Sequence, residues 1–523
     1  MIMPILEIAA PVLEWRALAP VLLLLLAGCL GILLEAVLPQ RARLGAQLTV
    51  SFTTLVLAFV SLVLNWRAGI GGSQAEGAIM LDGPSYFGWG SLIVFGTLSL
   101  MLFAERQVNG GSSSFAPSAA AVPGSLDERE SAQAGREHTE VFPLGLFAIA
   151  GMMVFASSTD LITMFVALEV FSLPLYLLSA MARRRRLLSQ ESALKYFLLG
   201  AFSSAFFLFG IALLYVFSGS LNLAGIHGAV TGAVYGQGLL IAGLALLSIG
   251  LLFKIGVVPF ASWTPDVYMG APTPVTGFMA ICTKLAAVGG TLRIFYVALD
   301  GERWTWQPLF AILAALTMVV GIVMALTQTD IKRLLAYSSI AHAGFIMTAV
   351  VGASQIVPVG QATSATSIMF YLTAYGFATI GAFAVVTMVR NAAGEENTIA
   401  GWSGLARKNP LVASLFALFM LSFAGIPLTG GFIGKWAVFS AAWRGGYWWL
   451  VVVAALASLV GVWFYLRVIV VMFAGEQAKG VVVARASAWT WIPLSIGAAA
   501  TLWLGLLPNQ TMQLATFAGT FLR

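Results

Sequence analysis

The chain has 523 residues, of which 60% are hydrophobic and only 9% are charged, and its mean hydropathy is +0.94. Soluble domains carry about 25% charged residues, so this composition excludes a large soluble domain and indicates an integral membrane protein. The net charge of +6 does not indicate a nucleic-acid partner, because the basic residues lie in short loops, where they set the orientation of membrane helices.

Apolar runs long enough to cross a bilayer recur along the whole chain. A spanning helix requires about 20 apolar residues. Fourteen such runs lie near 18–38, 46–66, 84–104, 141–158, 160–181, 193–217, 238–260, 274–299, 307–327, 334–353, 364–390, 410–443, 447–474 and 487–507. They predict an all-α integral membrane protein with about 14 transmembrane helices.

The loops between these runs differ in their content of lysine and arginine. Loops that follow odd-numbered helices hold 16 of these residues, and the opposite side holds 5. Positive loops face the cytoplasm, so we expect a multi-pass protein of the plasma or inner membrane with both termini on the outer side. Residues 105–140 are rich in Ser, Gly, Ala and Pro, and this composition predicts a flexible cytoplasmic loop.

Two apolar segments are interrupted at matching places. Residues 253–259 contain Lys254, Gly and Pro, and residues 424–435 contain the same residue types and end at Lys435. The interruptions lie in the seventh and twelfth predicted helices, and helices an odd number apart cross the bilayer in opposite directions. Paired broken helices in inverted repeats indicate a transport site.

We therefore predict two inverted five-helix repeats. The predicted division is peripheral helices 1–3 in 1–104, the loop in 105–140, the first repeat in 141–300, the second repeat in 306–475, and the last helix with the C-terminus in 486–523.

Five ionisable residues lie inside the apolar segments: Glu169, Lys254, Lys284, His342 and Lys435. A charged side chain at the bilayer centre costs about 2.5–3.5 kcal/mol on insertion scales. Such residues usually face a bundle interior or a hydrated cavity and mark an ion pathway. We expect Glu169 to pair with Lys254, and we expect Lys284, near the middle of its helix, to carry protons. A purely structural ion pair between helices is the alternative for Glu169 and Lys254.

The remaining candidates have competing interpretations. Lys435 follows the second interruption, where it either joins the path or reaches the membrane surface along its stem. His342 titrates near neutrality and suits a proton relay, although a lone histidine is often a packing residue. Lys195 lies near the cytoplasmic end of the sixth helix and either joins the path or extends to the surface. Arg293 lies near a segment end and is interpreted as an interface or packing residue.

Motifs for other chemistry are missing from the sequence. It contains no phosphate-binding glycine loop, no nucleophile elbow and no cluster of metal ligands. Its two cysteines, Cys29 and Cys282, lie in separate apolar runs, so isolated thiols are favoured over a disulfide. We expect no cofactor and no metal in this chain.

Several motifs resemble one family. They are 253–260, 263–276, 191–204, 328–344 and 424–427 together with Gly434 and Lys435. These stretches are similar to the antiporter-like subunits of respiratory complex I, and Thr-Pro-Asp-Val-Tyr at 264–268 resembles subunit N more than its M and L relatives. The chain also stops after the fourteenth helix, without the long lateral helix typical of subunit L.

The resemblance implies a fold and roles for particular residues. It implies fourteen helices with two inverted repeats and a pair of proton half-channels that join at the membrane midplane. By position, Glu169 resembles the family's glutamate on helix five, Lys254 its partner lysine, Lys284 the central lysine and Lys435 the lysine facing the outer exit. Ala261 departs from the pattern, because many relatives have histidine there.

The resemblance also implies partners. Other membrane-arm subunits of complex I would surround the chain, and NADH, FMN, iron–sulfur clusters and quinone would bind in partner subunits. The function hypothesis is a proton-translocating subunit driven by quinone reduction elsewhere. One alternative is a subunit of a multi-subunit sodium/proton antiporter or of a membrane hydrogenase. A second alternative is a stand-alone secondary transporter for a small solute.

Overall fold

The computed structural model describes residues 13–117, 122, 125–134, 137–232, 236–353 and 362–522. The first part of this structure contains α1 (Trp15–Val37), α2 (Gln40–Arg67), β1 (Gly72–Gln74), β2 (Ile79–Leu81), α3 (Gly83–Phe103) and α4 (Leu126–Gln133). Strands β1 and β2 form an antiparallel hairpin in which Gly72 pairs with Leu81.

The region predicted as the first repeat is helical. It contains α5 (Val141–Ser157), α6 (Leu161–Ser179), α7 (Arg186–Ser218), α8 (Leu223–Gly232), α9 (Gln237–Ile255), α10 (Trp263–Gly270), α11 (Thr273–Phe278) and α12 (Lys284–Arg293). A π-helical turn, Met279–Thr283, joins α11 to α12, and a second one, Ile294–Ala298, follows α12. These four pieces form one continuous membrane-length segment, Thr273–Ala298.

The second half of the chain repeats this pattern. It contains α13 (Arg303–Leu326), α14 (Ile331–Val351), α15 (Ser364–Met388), β3 (Val389–Asn391), β4 (Gly394–Glu395), α16 (Leu405–Lys408), α17 (Pro410–Ala424), α18 (Gly430–Arg444), α19 (Trp448–Ala474), β5 (Val482–Val483), α20 (Ala488–Leu506) and α21 (Asn509–Ala518). Strand β3 pairs antiparallel with both β4 and β5.

The predicted spanning segments are present as helices. Among the described residues, 12 helices are long and apolar enough to cross a membrane, and α5 and α17 are shorter apolar helices. The run predicted at 410–443 is divided into α17 and α18, as its interruption indicated. The most enclosed helices are α14, α15 and the segment Thr273–Ala298, each with 94% of an apolar window buried, against 28% for α2. The centre of the molecule therefore lies at these three elements.

Matching connections mark the starts of α6 and α14. Asp160 and Asp330 precede these helices, and each accepts a hydrogen bond from the backbone N–H three residues later, at 2.8 and 3.0 Å. Each aspartate also forms an isolated antiparallel bridge with a later segment, at Asn222 and Thr398 respectively. Since α6 and α14 are the second helices of the two predicted repeats, these equivalent contacts support the repeat. We keep the five-part division of the chain as an interpretation of this helix order.

Glycines in the left-handed conformation end both broken helices. Gly256 follows α9 with φ of +82°, and Gly425 follows α17 with φ of +81°. Each N–H bonds back to the helix, at Leu252 and Leu421, as in the common glycine-terminated helix end. The seventh helix therefore ends at Ile255 and does not continue to 260.

The described part of the predicted loop at 105–140 contacts distant segments of the chain, while residues 118–121, 123–124 and 135–136 lie outside the described residues. Its flexibility stays a prediction. Phe115 is fully buried and forms a bridge with Ala182, and the Ala116 N–H donates to the Met181 carbonyl at 2.8 Å. Glu105 is buried and accepts hydrogen bonds from the start of α20. Pairing with a distant loop satisfies these backbone groups, and local composition carries no sign of it.

A buried ion pair joins α12 to the start of α3, which corrects the interpretation of Arg293. Its guanidinium donates to both Asp82 carboxylate oxygens, at 2.7 and 3.1 Å, and both side chains are fully buried. Asp82 also caps α3 by accepting from the Ser85 N–H, and it accepts from the Leu522 N–H at 3.2 Å. The two cysteines are free, as expected.

Candidate functional site

Three lysines lie in the interior of the helix array. Lys254 stands in the last turn of α9, Lys284 at the start of α12 and Lys435 in α18. Their exposed fractions are only 2%, 3% and 6%. Since an unpaired buried charge is costly, the contacts of each ammonium group show how it is accommodated.

The Lys254 ammonium is held by hydroxyl groups and aromatic rings. Its Nζ donates to Ser172 Oγ at 2.7 Å and to Tyr176 Oη at 3.5 Å. It also lies 5.4–5.6 Å from the ring centroids of Phe171, Tyr176 and Tyr196, within the range of cation–π attraction. Helices α6, α7 and α9 thus all contribute to this position.

The predicted ion pair between Glu169 and Lys254 is not formed. No Glu169 oxygen lies within 4 Å of Lys254 Nζ, and the buried Oε1 of Glu169 has no hydrogen-bond partner among the described residues. Ser172, one turn further along α6, binds the lysine instead. Glu169 nevertheless interacts electrostatically with Lys254, so the two charges are neighbours without contact.

Lys284 is bound by a single residue of α14. Its Nζ donates to the Ser339 carbonyl at 2.5 Å and to Ser339 Oγ at 2.9 Å. The same hydroxyl lies 3.5 Å from Tyr268 Oη, and the Tyr375 ring lies 5.4 Å from the ammonium. Among the described residues, the central ammonium is therefore stabilised by dipoles and a ring, with no carboxylate in contact.

His342 connects three hydroxyl groups between Lys284 and Lys435. Its Nδ1 lies 2.5 Å from Tyr371 Oη, and its Nε2 lies 3.3 Å from Tyr465 Oη. Tyr465 in turn lies 2.5 Å from Ser338 Oγ. A cavity of about 10 Å³ borders His342, near the lower limit of about 10–15 Å³ for one water molecule. The predicted relay residue thus belongs to a continuous polar cluster.

Lys435 binds the end of the broken helix. Its Nζ donates to the carbonyls of Phe423 and Ala424, both at 2.9 Å, and to Ser458 Oγ at 2.8 Å. Carbonyls at a helix C-terminus carry partial negative charge, which favours a cation there. The interruption at Gly425 exposes these carbonyls, and this explains why the break and the lysine occur together.

Lys195 lies outside the buried row. Its side chain is 44% exposed and forms ion pairs with Glu191 at 2.7 Å and Asp266 at 3.0 Å. Asp266 also pairs with Arg333 at 3.4 Å. The structure therefore places Lys195 in a surface ion-pair cluster. The other predicted residues are buried, except that Glu169 is only partly buried.

The hydroxyl partners were missed by sequence reasoning, which considered ionisable groups alone. Helical spacing could have identified several of them: Ser172 follows Glu169 by three residues, His342 follows Ser339 by three, and Tyr375 follows Tyr371 by four. Residues at these spacings share a helix face.

The repeat relates these positions further. When Asp160 is aligned with Asp330, Glu169 aligns with Ser339 and Ser172 with His342. Glu169 lies near Lys254, and its aligned residue Ser339 binds Lys284. Both positions thus lie beside a lysine, but only the first repeat has a carboxyl group there.

Replacement of Gly425 by alanine is expected to disturb Lys435 directly. A Cβ at this position would lie 2.8 Å from Lys435 Cδ, and the positive φ adds strain of about 1–2 kcal/mol. We expect the rate of proton transport per assembled protein to fall at least about tenfold, because the ammonium is displaced from its carbonyls. The measurement is acidification of sealed membrane vesicles, normalised to the amount of the assembled complex.

Gly446→Ala is the matched control. Gly446 also has a positive φ, of +87°, but nothing lies within 4 Å of the added Cβ. It should reproduce the strain without the loss of transport. Equal transport in both variants would contradict a role for the Lys435 position.

The described residues contain no group of three or more His, Cys, Asp or Glu side chains arranged to hold a metal ion.

Comparison with known proteins gives consistent results. Residues 158–461 match the family described as NADH:quinone oxidoreductase/Mrp antiporter, transmembrane. A protein of Nocardioides sp. named NADH-quinone oxidoreductase subunit N is 51% identical, covering 98% of this chain and 99% of the relative. One of the same name from Rhodococcus opacus is 50% identical, covering 99% and 98%.

Chains of solved structures are also similar to this chain. A chain of respiratory complex I from Thermus thermophilus with bound aureothin matches with a TM-score of 0.75 and 34% identity, covering 95% of this chain and 99% of that chain. A chain of the Mrp complex from Dietzia sp. matches with a TM-score of 0.79 at 22% identity, covering 97% of each. The second match shows a shared fold alone.

Proposed function

Because the chain belongs to the NADH:quinone oxidoreductase and Mrp antiporter family of membrane proteins, we propose that its buried lysine row is the proton path of a membrane-arm subunit of NADH:quinone oxidoreductase. The chain is a multi-pass membrane protein and works with other subunits of that complex. The observation that carries the proposal is the row itself: three enclosed ammonium groups, each held by hydroxyls, carbonyls or rings.

Protons enter from the cytoplasm near Glu169 and Lys254, pass Lys284 and the His342 cluster, and leave past Lys435. Charged groups in a low-dielectric interior interact strongly over short distances. A change of charge at Glu169 alters the stability of the Lys254 ammonium, and this change is passed to Lys284. Because the Lys254 ammonium donates to Ser172 and forms no ion pair with Glu169, Glu169 acts through its field and its own protonation rather than through a closed ion pair.

The partner subunits supply the redox chemistry. NADH, FMN, iron–sulfur clusters and quinone bind there, and quinone reduction drives the transport. The protein lies in the plasma or inner membrane with both termini outside, an orientation supported by the excess of basic residues on one side. Labelling of single cysteines introduced in the 183–186 loop, with a membrane-impermeant reagent, tests this orientation: labelling in intact cells would contradict it.

Glu169→Gln is expected to lower proton transport at least about tenfold, since a positioned proton-carrying group typically contributes factors of about 10²–10⁴. The amide keeps the size of the side chain but removes its charge. Glu191→Gln is the control, because Glu191 lies in the exposed ion-pair cluster. The measurement is vesicle acidification on addition of NADH, together with quinone reduction. Equal transport in the two variants would remove Glu169 from the path.

The alternatives make different predictions. The antiporter alternative rests on a likeness at 22% identity, whereas the relatives at about half identity over nearly the whole chain bear the complex I name. A stand-alone transporter would move a solute after purification and reconstitution of this chain alone. A complex I subunit moves protons only in the assembled, NADH-driven complex.

A further inference from the structure

Ser339 of α14 receives all the hydrogen bonds that Lys284 donates among the described residues. The ammonium donates to its carbonyl at 2.5 Å and to its hydroxyl oxygen at 2.9 Å. These two bonds differ in kind, because a carbonyl only accepts, whereas a hydroxyl accepts and also donates its own proton. The hydroxyl is therefore able to do more than hold the ammonium in place.

The proton of the Ser339 hydroxyl is not bound by the backbone of its own helix. Serines inside helices often donate to the carbonyl four residues earlier, as Ser172 does to Leu168 at 2.5 Å. Ser172 can therefore only accept the hydrogen bond from Lys254. Among the described residues, the Ser339 hydroxyl makes no bond to a backbone carbonyl. It accepts from Lys284 and keeps its own proton for another partner.

Tyr268 of α10 offers such a partner. Its hydroxyl oxygen lies 3.5 Å from the Ser339 hydroxyl oxygen, and this is the only hydrogen bond of that tyrosine hydroxyl within the described chain. The residue is buried, and a buried tyrosine hydroxyl usually has a partner. Hydrogen bonds of proton-transfer sites are often this long in the resting state. The two hydroxyls are thus arranged as neighbours in a chain that ends at Lys284.

Aromatic contacts connect Tyr268 to the Lys254 end of the row. The ring centroid of Trp263 lies 6.4 Å from that of Tyr268 and 4.7 Å from that of Tyr196. The Tyr196 ring in turn lies 5.6 Å from the Lys254 ammonium. Tyr268 therefore lies between the surroundings of Lys254 and the Ser339 hydroxyl.

Tyr375 of α15 connects the same hydroxyl to the His342 cluster. It interacts with the Ser339 hydroxyl, and its ring lies 4.8 Å from the His342 ring. Ser339 and His342 are three residues apart and so share one face of α14. The Ser339 hydroxyl is therefore the junction between the two ends of the row.

We propose, on the basis of the function proposed above, that the Ser339 hydroxyl transfers protons from Tyr268 to Lys284. Lys284 begins this step as a neutral amine. The O–H bond of Ser339 breaks as its proton bonds to Nζ of Lys284, and the Ser339 oxygen takes the hydroxyl proton of Tyr268. Tyr268 regains a proton from the Lys254 side. Both hydroxyls are thus neutral before and after the step, and one positive charge arrives at Lys284.

Ser339→Thr and Ser339→Val form a matched pair for testing this step. Both side chains are β-branched and have nearly the same shape, so the two variants crowd α14 equally. Both also keep the backbone carbonyl that binds Lys284, and only threonine keeps a hydroxyl. Thr348→Val is the control, because Thr348 is a buried residue of the same helix whose hydroxyl donates to the Phe345 carbonyl at 2.6 Å.

The measurement is NADH-driven acidification of vesicles that contain the purified, intact complex, normalised to the assembled amount, with quinone reduction followed in parallel. We expect transport in Ser339→Val to be at least about tenfold slower than in Ser339→Thr, since a positioned proton-transfer group typically contributes factors of about 10²–10⁴. Tyr268→Phe, which removes a hydroxyl without adding volume, should slow transport by a similar factor. Thr348→Val should leave the rate unchanged.

A double variant tests whether the two hydroxyls act in one series. Residues that act as a unit have non-additive effects, so Ser339→Val combined with Tyr268→Phe should be no slower than Ser339→Val alone. Losses that multiply in the double variant would overturn the inference. Equal transport in Ser339→Thr and Ser339→Val would overturn it as well, and so would undiminished transport in Tyr268→Phe.

Lys284→Ala separates a failure of this step from a failure of the proposed path. If Lys284→Ala slows transport while the threonine and valine variants of Ser339 transport equally, the path is retained and the hydroxyl step is wrong. If Lys284→Ala leaves transport intact, the path itself is wrong.

Discussion

Lys284→Ala is expected to reduce NADH-driven proton transport about 100-fold, the scale typical of a lost proton-carrying group. Lys284, like Lys435, has no carboxylate acting on it, and among the described residues it is the buried lysine whose hydrogen bonds all go to a single residue, Ser339. Its removal interrupts the row between Lys254 and the His342 cluster. The measurement is the initial rate of acidification in reconstituted vesicles, with quinone reduction followed in parallel.

Two further variants make this result specific. Lys195→Ala removes an exposed lysine that lies outside the row, and it should retain most of the transport. Lys284→Arg keeps a charge that does not readily release its proton, so it should fail almost as completely as alanine. Full transport in Lys284→Ala, with normal quinone reduction, would disprove the route through the midplane.

Asp82→Asn is expected to destabilise the protein by about 3–5 kcal/mol, the cost of removing one partner from a buried ion pair. Asparagine is also a good helix cap, so the start of α3 is preserved and the loss is mainly that of the charge beside Arg293. The measurement is the thermal stability of the purified complex and the amount of this chain assembled in membranes.

Compensation tests the electrostatic origin of that loss. In Asp82→Asn combined with Arg293→Met, no unpaired charge is left, and replacing a buried pair by uncharged groups is often nearly neutral. The double variant should therefore be more stable than either single one. Glu191→Gln breaks only an exposed pair, where about 0–1 kcal/mol is expected. If the loss of stability in the double variant equals the sum of the losses in the two single variants, Asp82 and Arg293 do not act as a pair.

The positions of the helices and of their interruptions could be predicted from the sequence, because bilayer thickness and glycine conformation act locally. The apolar runs correspond to the helices, and the breaks occur at Gly256 and Gly425. The buried charges could be identified as well, since ionisable residues are rare in such segments.

The partners of these charges could not be predicted, because they depend on how helices face one another. Lys254 binds Ser172 rather than Glu169, and predicting this choice requires knowledge of the rotation of α6 against α9. Arg293 finds Asp82 across 211 positions of sequence. Likewise, Phe115 is buried by contacts with a loop far along the chain, and nothing in its neighbouring residues indicates this.

The alignment of Glu169 with Ser339 makes the two halves of the proposed path electrically unequal. At this aligned pair of positions the first half has an ionisable carboxyl group and the second half has a hydroxyl group. Ionisable groups are therefore unevenly distributed along the row. The Glu169 carboxyl group lies near Lys254, whereas Lys284 and Lys435 contact hydroxyls, carbonyls and aromatic rings among the described residues. In the path that we propose, a proton therefore meets a different electrostatic environment at each end of the row, although the two repeats share one architecture.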